Sequence, residues 1–300
     1  MREIFQLSIL PLLLICVVSC GNEPSNDEVG EEPEPVTNEH FKLPVVPTEI
    51  NLFGEIIQFD NFDLKERLDK ELIVNTHYHS STIQILKRSN RHFPEIERIL
   101  KEESMPDDMK YLCVIESALK QATSPSGAKG FWQFMPAAAK ENNLLITSEV
   151  DERFHVEKST RAACKYLRNA NKKFDDWVMT SASYNCGVGG LQALVNTQGK
   201  SNFFELYMNN ETTRYIFRII ALKLILEQPK AYGYYPDDME LYEPVETRSI
   251  EITETIGSLS VWANEQGSNL RMVKVLNPWL IANSLTISGG RTFTIALPAN

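Results

Sequence analysis

Along the first two-thirds of the chain, apolar residues recur at three- and four-residue intervals, the spacing of helices that bury one face. The pattern predicts helices over residues 64–74, 82–89, 94–103, 107–119, 134–142, 159–172, 176–184 and 213–227. Two starts are well signed: Pro106-Asp107-Asp108 puts proline and two acids into a first turn, and Ser159-Thr160 reads as a cap. Ahead of them, Pro44, Pro47 and Gly54 punctuate an irregular stretch. The apolar run YIFRIIALKLIL contains Arg218 and Lys223 and is too short to span a bilayer, so it reads as a core helix. Beyond a linker at 233–249 the period changes. SIEIT and TFTIAL alternate as strands, with helical SLSVWANEQG and LRMVKVL between them. The expected architecture is a mainly α domain over 43–232 and a small βααβ module over 250–300, with no fixed-period repeat.

One position breaks the apolar pattern. In KYLCVIESALK, Met109, Leu112, Cys113 and Glu116 fall at i, i+3, i+4 and i+7, so a carboxylate shares a stripe with core residues. Burial disfavours the charged form, raising the pKa toward the range in which a carboxyl donates protons. The alternatives are a buried glutamate satisfied by Arg or Lys, or a helix phased so that Glu116 meets water.

The N-terminus alters the picture of where this chain works. About 15 largely apolar residues, Ile4 to Val18, follow Arg2 and end in Val17-Val18-Ser19-Cys20. This resembles a bacterial lipoprotein export signal, residues 1–19, with cleavage before Cys20 and acylation of that residue; a transmembrane anchor would need roughly 20 apolar residues. Seven acids and no Lys or Arg lie between Asn22 and Glu39, with Pro24, Pro33 and Pro35 interspersed. Residues 20–42 therefore read as an acidic, disordered tether. The formal net charge of −10 falls to about −3 without them, and no basic patch points to nucleic acid. Lipid on Cys20 would hold the protein at a membrane surface, placing it in the cell envelope, at an outer membrane facing the periplasm. Cys113, Cys164 and Cys186 remain, an odd number in apolar surroundings; free thiols are favoured, with one pair left open.

Five motifs carry the chemistry: Glu116-Ser117 at a helix end, SPSGAKGFWQFMP from Ser124, VDERFHVEKSTRAACKYL from Val150, SYNCGVGG from Ser183 and ETTRYIFRI from Glu211. In this order and spacing, over about residues 43–232, they resemble the lytic murein transglycosylases with a soluble-lytic-transglycosylase domain, closest to the membrane-bound type D group. The resemblance implies a lysozyme-like fold and cleavage of peptidoglycan glycan strands between N-acetylmuramic acid and N-acetylglucosamine. Glu116 would act first as acid and then as base, leaving a 1,6-anhydro end, with no cofactor and no metal. It also implies that Ser124, Gln133 and Met135 line the cleft, that Ser117 orients the acid, and that Tyr184, Asn185 and Tyr215 face the substrate. Ser183 stands where the family has Ala.

Read without the resemblance, Gly127, Ala128 and Gly130 keep a turn small, Gln133 offers a donor and an acceptor, and tyrosines in an α core are most often packing residues. Two-carboxylate glycosidases need a second acid. None lies inside the Ser-Pro, Gly-Trp-Gln or Tyr-Asn motifs, although Glu141, Asp151, Glu152 and Glu157 lie between them. CGVGG lacks the spacing of a phosphate loop, Asp151-Glu152-Arg153 reads as a structural loop, and the His77-x-His79 pair lacks further ligands. The C-terminal unit resembles a divergent LysM glycan-binding module without the usual Gly-Asp-Thr start. Glycan binding, which would raise local substrate concentration through tethering, and a packing role both stand open. A lysozyme-type hydrolase and an inactive glycan-binding scaffold are the competing functional readings.

Overall fold

The computed structural model describes residues 43–299. The export-signal reading, the acidic tether and Cys20 lie outside the described residues. The chain opens with a hairpin, β1 (Glu49–Leu52) and β2 (Glu55–Gln58), paired antiparallel with Glu49 opposite Gln58 and Leu52 opposite Glu55. This corrects the expected irregular start. Ile50, Leu52 and Ile57 turn inward, and the Phe53-Gly54 turn takes positive φ at both residues while the Phe53 N–H donates to the Asp108 carboxylate at 2.7 Å. Strands of four residues give too short an alternation to be read reliably, and tertiary packing holds them.

Helices follow: α1 (Phe62–His77), α2 (His79–Glu102), α3 (Lys110–Ser117), α4 (Pro136–Glu141), α5 (Val156–Phe174), α6 (Trp177–Cys186), α7 (Val188–Gln198) and α8 (Asn210–Glu227). The two helices expected at 82–89 and 94–103 are one, running through Pro94, because Ile85, Leu86, Ile96, Ile99 and Leu100 bury one continuous stripe. Ser159 and Thr160 do not cap α5, which starts three residues earlier; both are buried inside it and donate to the Val156 carbonyl. The Val-Gly-Gly run opens α7, a helix absent from those the apolar spacing predicts. Asn61, Asp176 and Asn209 cap α1, α6 and α8 by accepting from the backbone N–H three residues on.

The core forms around α8, which packs against α1, α3 and α6 and buries Ile216, Phe217, Ile219, Ile220 and Ile225 completely. Truncating any of these to alanine costs about 2–5 kcal/mol. Each of its three cations meets a carboxylate: Arg214 pairs with Glu71 at 2.5 Å, Lys223 pairs with Asp108 at 2.6 Å and Glu227 at 2.8 Å, and Arg218 acts electrostatically on Glu116 at the end of α3. Among the described residues, no helix is long and apolar enough to cross a membrane.

The C-terminal module is β3 (Thr247–Ile252), α9 (Leu259–Glu265), α10 (Leu270–Leu276) and β4 (Phe293–Pro298), with β3 and β4 antiparallel around its own small core. It is not a loosely tethered unit. Asp151 N–H donates to the Trp279 carbonyl and Ile281 N–H to the Glu149 carbonyl, each at 2.9 Å, and Val150 buries its side chain in the module's core. The expected linker is also docked. Tyr242 lies under Lys87 and Arg91 of α2, its N–H donates to the Lys87 carbonyl, and its own carbonyl accepts from Asn90.

Candidate active site

Glu116 sits in the last turn of α3, half-buried on the stripe expected for it. Immediately after Ser117 the chain turns through Ala118 and Leu119, both left-handed at φ 52° and 54° without being glycine. Such residues need support, and Arg88 of α2 supplies some by donating to the Ala118 carbonyl at 3.2 Å. The Tyr215 hydroxyl, 2% exposed on α8, donates to the Glu116 carboxylate at 2.7 Å. Burial raises the Glu116 pKa above its ordinary 4.5; the Tyr215 hydrogen bond and the nearby Arg218 charge oppose that rise, and the charge of Glu211 adds to it. Desolvation prevails, leaving a carboxyl that holds its proton to higher pH than an exposed one. Arg218 follows Tyr215 by one helical turn, and its buried Nε has no hydrogen-bond partner among the described residues.

The loop before α4 faces this helix end. Ser124 closes a tight turn, its hydroxyl accepting from the Ala128 N–H at 3.0 Å while its backbone exchanges bonds with Ala128 and Gly127. Gln133 is also left-handed, at φ 47°, and its amide nitrogen is tied to the carbonyls of Gly130 at 2.8 Å and Ala122 at 3.2 Å. Its oxygen is thus the end left to meet a ligand; the two-way donor and acceptor inferred from residue type is reduced to an acceptor. Met135 is 44% exposed on the same loop. The Tyr184 hydroxyl reaches across from α6 to donate to the Trp132 carbonyl at 2.6 Å, fixing the loop against the helix. Burial, and after it the charge on Glu116, push the Tyr184 phenol well above its usual range, so it remains a neutral donor.

Two further expected residues make hydrogen bonds within the fold. Ser117 is buried and donates to the Cys113 carbonyl at 3.0 Å, so it braces its own helix; no hydrogen bond joins it to Glu116. Asn185 accepts from the Thr212 hydroxyl at 2.9 Å, linking α6 to α8. The reading from sequence passed over Arg218 as a site residue, although its i+3 spacing from Tyr215 on one helix face was visible.

Behind the loop stands a second buried carboxylate. Asp151, 1% exposed, accepts from Arg153 at 2.8 Å and Lys129 at 3.1 Å; Arg153 in turn donates to the Gly127 and Phe134 carbonyls on either side of the Gly-Phe-Trp-Gln stretch. Gly130 has φ 79°, and a Cβ there would stand 1.9 Å from the Arg153 carbonyl oxygen, so no other residue fits. The four acids between the motifs are accounted for. Asp151 and Glu152 are buried in ion pairs, Glu157 pairs with Arg161, and Glu141 is exposed.

Among the described residues, no group of three or more His, Cys, Asp or Glu side chains converges to hold a metal. His77 and His79 stack on one another, with His77 Nδ1 against the Ile73 carbonyl. Cys113, Cys164 and Cys186 are free thiols.

The helical domain thus sets the desolvated Glu116 carboxyl beside Tyr184, which is bonded to the glycine-rich loop. Residues 93–206 match the transglycosylase SLT domain, and residues 248–300 match the soluble lytic transglycosylase C-terminal LysM-like domain. It is 33% identical over 180 residues to the membrane-bound lytic murein transglycosylase D of Escherichia coli K12, covering 58% of this chain and 39% of that protein. The same enzyme from Escherichia coli O6:H1 matches to the same extent. The chain thus spans well under half the length of these relatives. Among solved structures, an inactive mutant of the lytic transglycosylase Slt from Pseudomonas aeruginosa is 20% identical, covering 48% of this chain and 25% of that one, with a TM-score of 0.38.

Proposed function

We propose that this protein is a peptidoglycan lytic transglycosylase, cleaving the β-1,4 bond between N-acetylmuramic acid and N-acetylglucosamine without water. The observation that carries the reading is the Glu116 carboxyl, with its pKa raised by burial and its orientation held by the Tyr215 hydroxyl. The protonated acid gives its hydrogen to the glycosidic oxygen as the C1–O bond breaks, and the sugar's own 2-acetamido oxygen stabilises C1. Glu116, now ionised, takes the proton of the C6 hydroxyl while that oxygen bonds to C1. The acid is thereby regenerated and a 1,6-anhydro sugar is left. Gln133 accepts from a sugar hydroxyl or acetamide N–H, and Tyr184 and Met135 form cleft wall. Ser124, and Asn185 through Thr212, hold the walls in place. The reaction needs no cofactor.

The module's fixed seat supports a role as an extension of the substrate surface rather than a swinging tether. Export by the lipoprotein-like signal and acylation of Cys20 would put the enzyme in the envelope, at the outer membrane. The decisive experiment is digestion of purified sacculi followed by mass analysis. Fragments lighter by one water than reducing ends are expected; reducing ends alone would refute the reading. One observation favours a hydrolytic second reading: Glu211 in the first turn of α8 acts electrostatically on Glu116 and is a carboxylate that could activate water.

A further inference from the structure

A groove of about 1200 Å³ lies between α2, the start of α5 and the LysM-like module. Leu119, Gln121 and Phe131 form part of its lining, so it begins at the turn that ends α3, three residues beyond Glu116. In a chain of net charge −10, the described residues lining it include five cations and only two carboxylates, Glu95 and Glu157. Three of the cations are neutralised locally: Arg98 by Glu102, Lys158 by Glu152, and Arg161 by Glu102, Glu103 and Glu157. Arg88 and Arg91 are not. Among the described residues their hydrogen bonds go to uncharged acceptors, Arg88 to the Gln84 amide and the Ala118 carbonyl, Arg91 to the Glu243 carbonyl. They lie three apart on α2, on one face. His92 beside them is held at a pKa of about 4, by burial first and then by the charges of Arg91 and Arg88, and so is neutral when the arginines act.

A planar guanidinium matches a carboxylate in two-point fashion, and two of them without acidic partners in a concave, partly desolvated wall favour an anion over a neutral sugar. The space exceeds the roughly 300–1,000 Å³ usual for a small ligand and suits an oligomer. We propose that Arg88 and Arg91 form a carboxylate-binding pair, and that the groove receives the acidic peptide branch of a glycan strand whose sugars lie at Glu116. This rests on the function proposed above, because the branch must be attached to the strand being cut.

The test has two arms on the full chain. In the first, a synthetic acidic muramyl peptide, its fully amidated neutral counterpart and inorganic phosphate are titrated by calorimetry. The acidic peptide is expected to bind about tenfold more tightly than the amidated one, and Arg91→Gln to erase that difference. Equal affinity for the two peptides, or equally tight phosphate, overturns the proposal. In the second arm, anhydro-end formation is measured on intact strands and on strands stripped of peptide by an amidase. The ratio of kcat/KM, intact over stripped, should exceed one and fall about fivefold or more in Arg91→Gln; a ratio the variant does not move counts against the groove. Should neither strand yield anhydro ends, the proposed reaction fails, while the calorimetric arm still reads the groove by itself.

Discussion

Two carboxylates of this domain are removed from water, and they end in opposite states. Burial raises the Glu116 pKa, and the tyrosine hydroxyl and Arg218 opposing it do not cancel the effect. Burial pushes Asp151 the same way, but hydrogen bonds and charge from Arg153 and Lys129 reverse it and hold the group below its ordinary 3.8. The partner, not the burial, decides which becomes an acid and which a strut. Asp151 has two cations within bonding distance, and they spend its charge on tying together the loop that carries Gln133. Glu116 has one neutral donor and keeps its proton available. The two also pull stability in opposite directions with pH. Asp151 stabilises the fold above pH 3.8, and that contribution is lost as pH falls through its depressed value. Glu116 costs stability as pH rises from 4.5 through its raised value.

The largest effect should come from removing the proton. Glu116→Gln keeps the shape and is expected to lower anhydro-end formation by about 10²–10⁴-fold. Because Gln removes a group whose ionisation burial disfavours, the variant should also melt at a higher temperature than the parent at pH 7, the gap closing below pH 4.5. Lost activity without that gain in melting temperature would mean that Glu116 is solvated and that the comparison with Asp151 is misdrawn.

The strut breaks differently. Asp151→Ala leaves Arg153, 4% exposed, without its carboxylate, and a buried charge stripped of its partner costs about 3–5 kcal/mol. Urea unfolding should show this loss. The pH dependence should show it too: the variant's stability should stop falling between pH 3.8 and more acidic values, where the parent's declines. Activity lost in proportion to unfolding, and no further, would mark the residue as structural.

How much of this was legible in the sequence follows the range of the interactions. Glu116 stood out because a helical stripe is local, and α10 was placed as Leu270–Leu276 because its apolar spacing and polar flanks are local too. The partner that orients the acid is 99 residues away, and the Arg153 bonds that shape the loop span 19 and 26 residues to backbone carbonyls, which no side-chain pattern announces. Ala118, Leu119 and Gln133 take left-handed backbone without a glycine to signal it. Helix α7 was not predicted, since it opens on Val-Gly-Gly and glycine disfavours helix. The supposed linker is docked largely through main-chain groups of Tyr242 and Glu243, invisible to composition.

A smaller change tunes the acid without removing it. Tyr215→Phe deletes a donor that favours the ionised carboxylate, so the Glu116 pKa should rise further. The acid then stays protonated to higher pH, and the alkaline limb of the kcat/KM profile should move upward, while kcat falls about tenfold from lost orientation of the base. An alkaline limb that stays in place would assign that limb to another group.

The smallest expected effect separates one-acid from two-acid chemistry. Glu211 is exposed in the first turn of α8, and its charge raises the Glu116 pKa. If it acts only through that field, Glu211→Gln should move the alkaline limb slightly downward and change kcat by less than about threefold, since an exposed charge is worth a few tenths to 1 kcal/mol and is screened further by salt. The product should keep its anhydro ends. If instead Glu211 activates water, the same variant should lose most turnover, and the parent should release reducing ends. The first outcome would leave burial, opposed by the Tyr215 hydroxyl and the Arg218 charge and aided by Glu211, as what raises the Glu116 pKa.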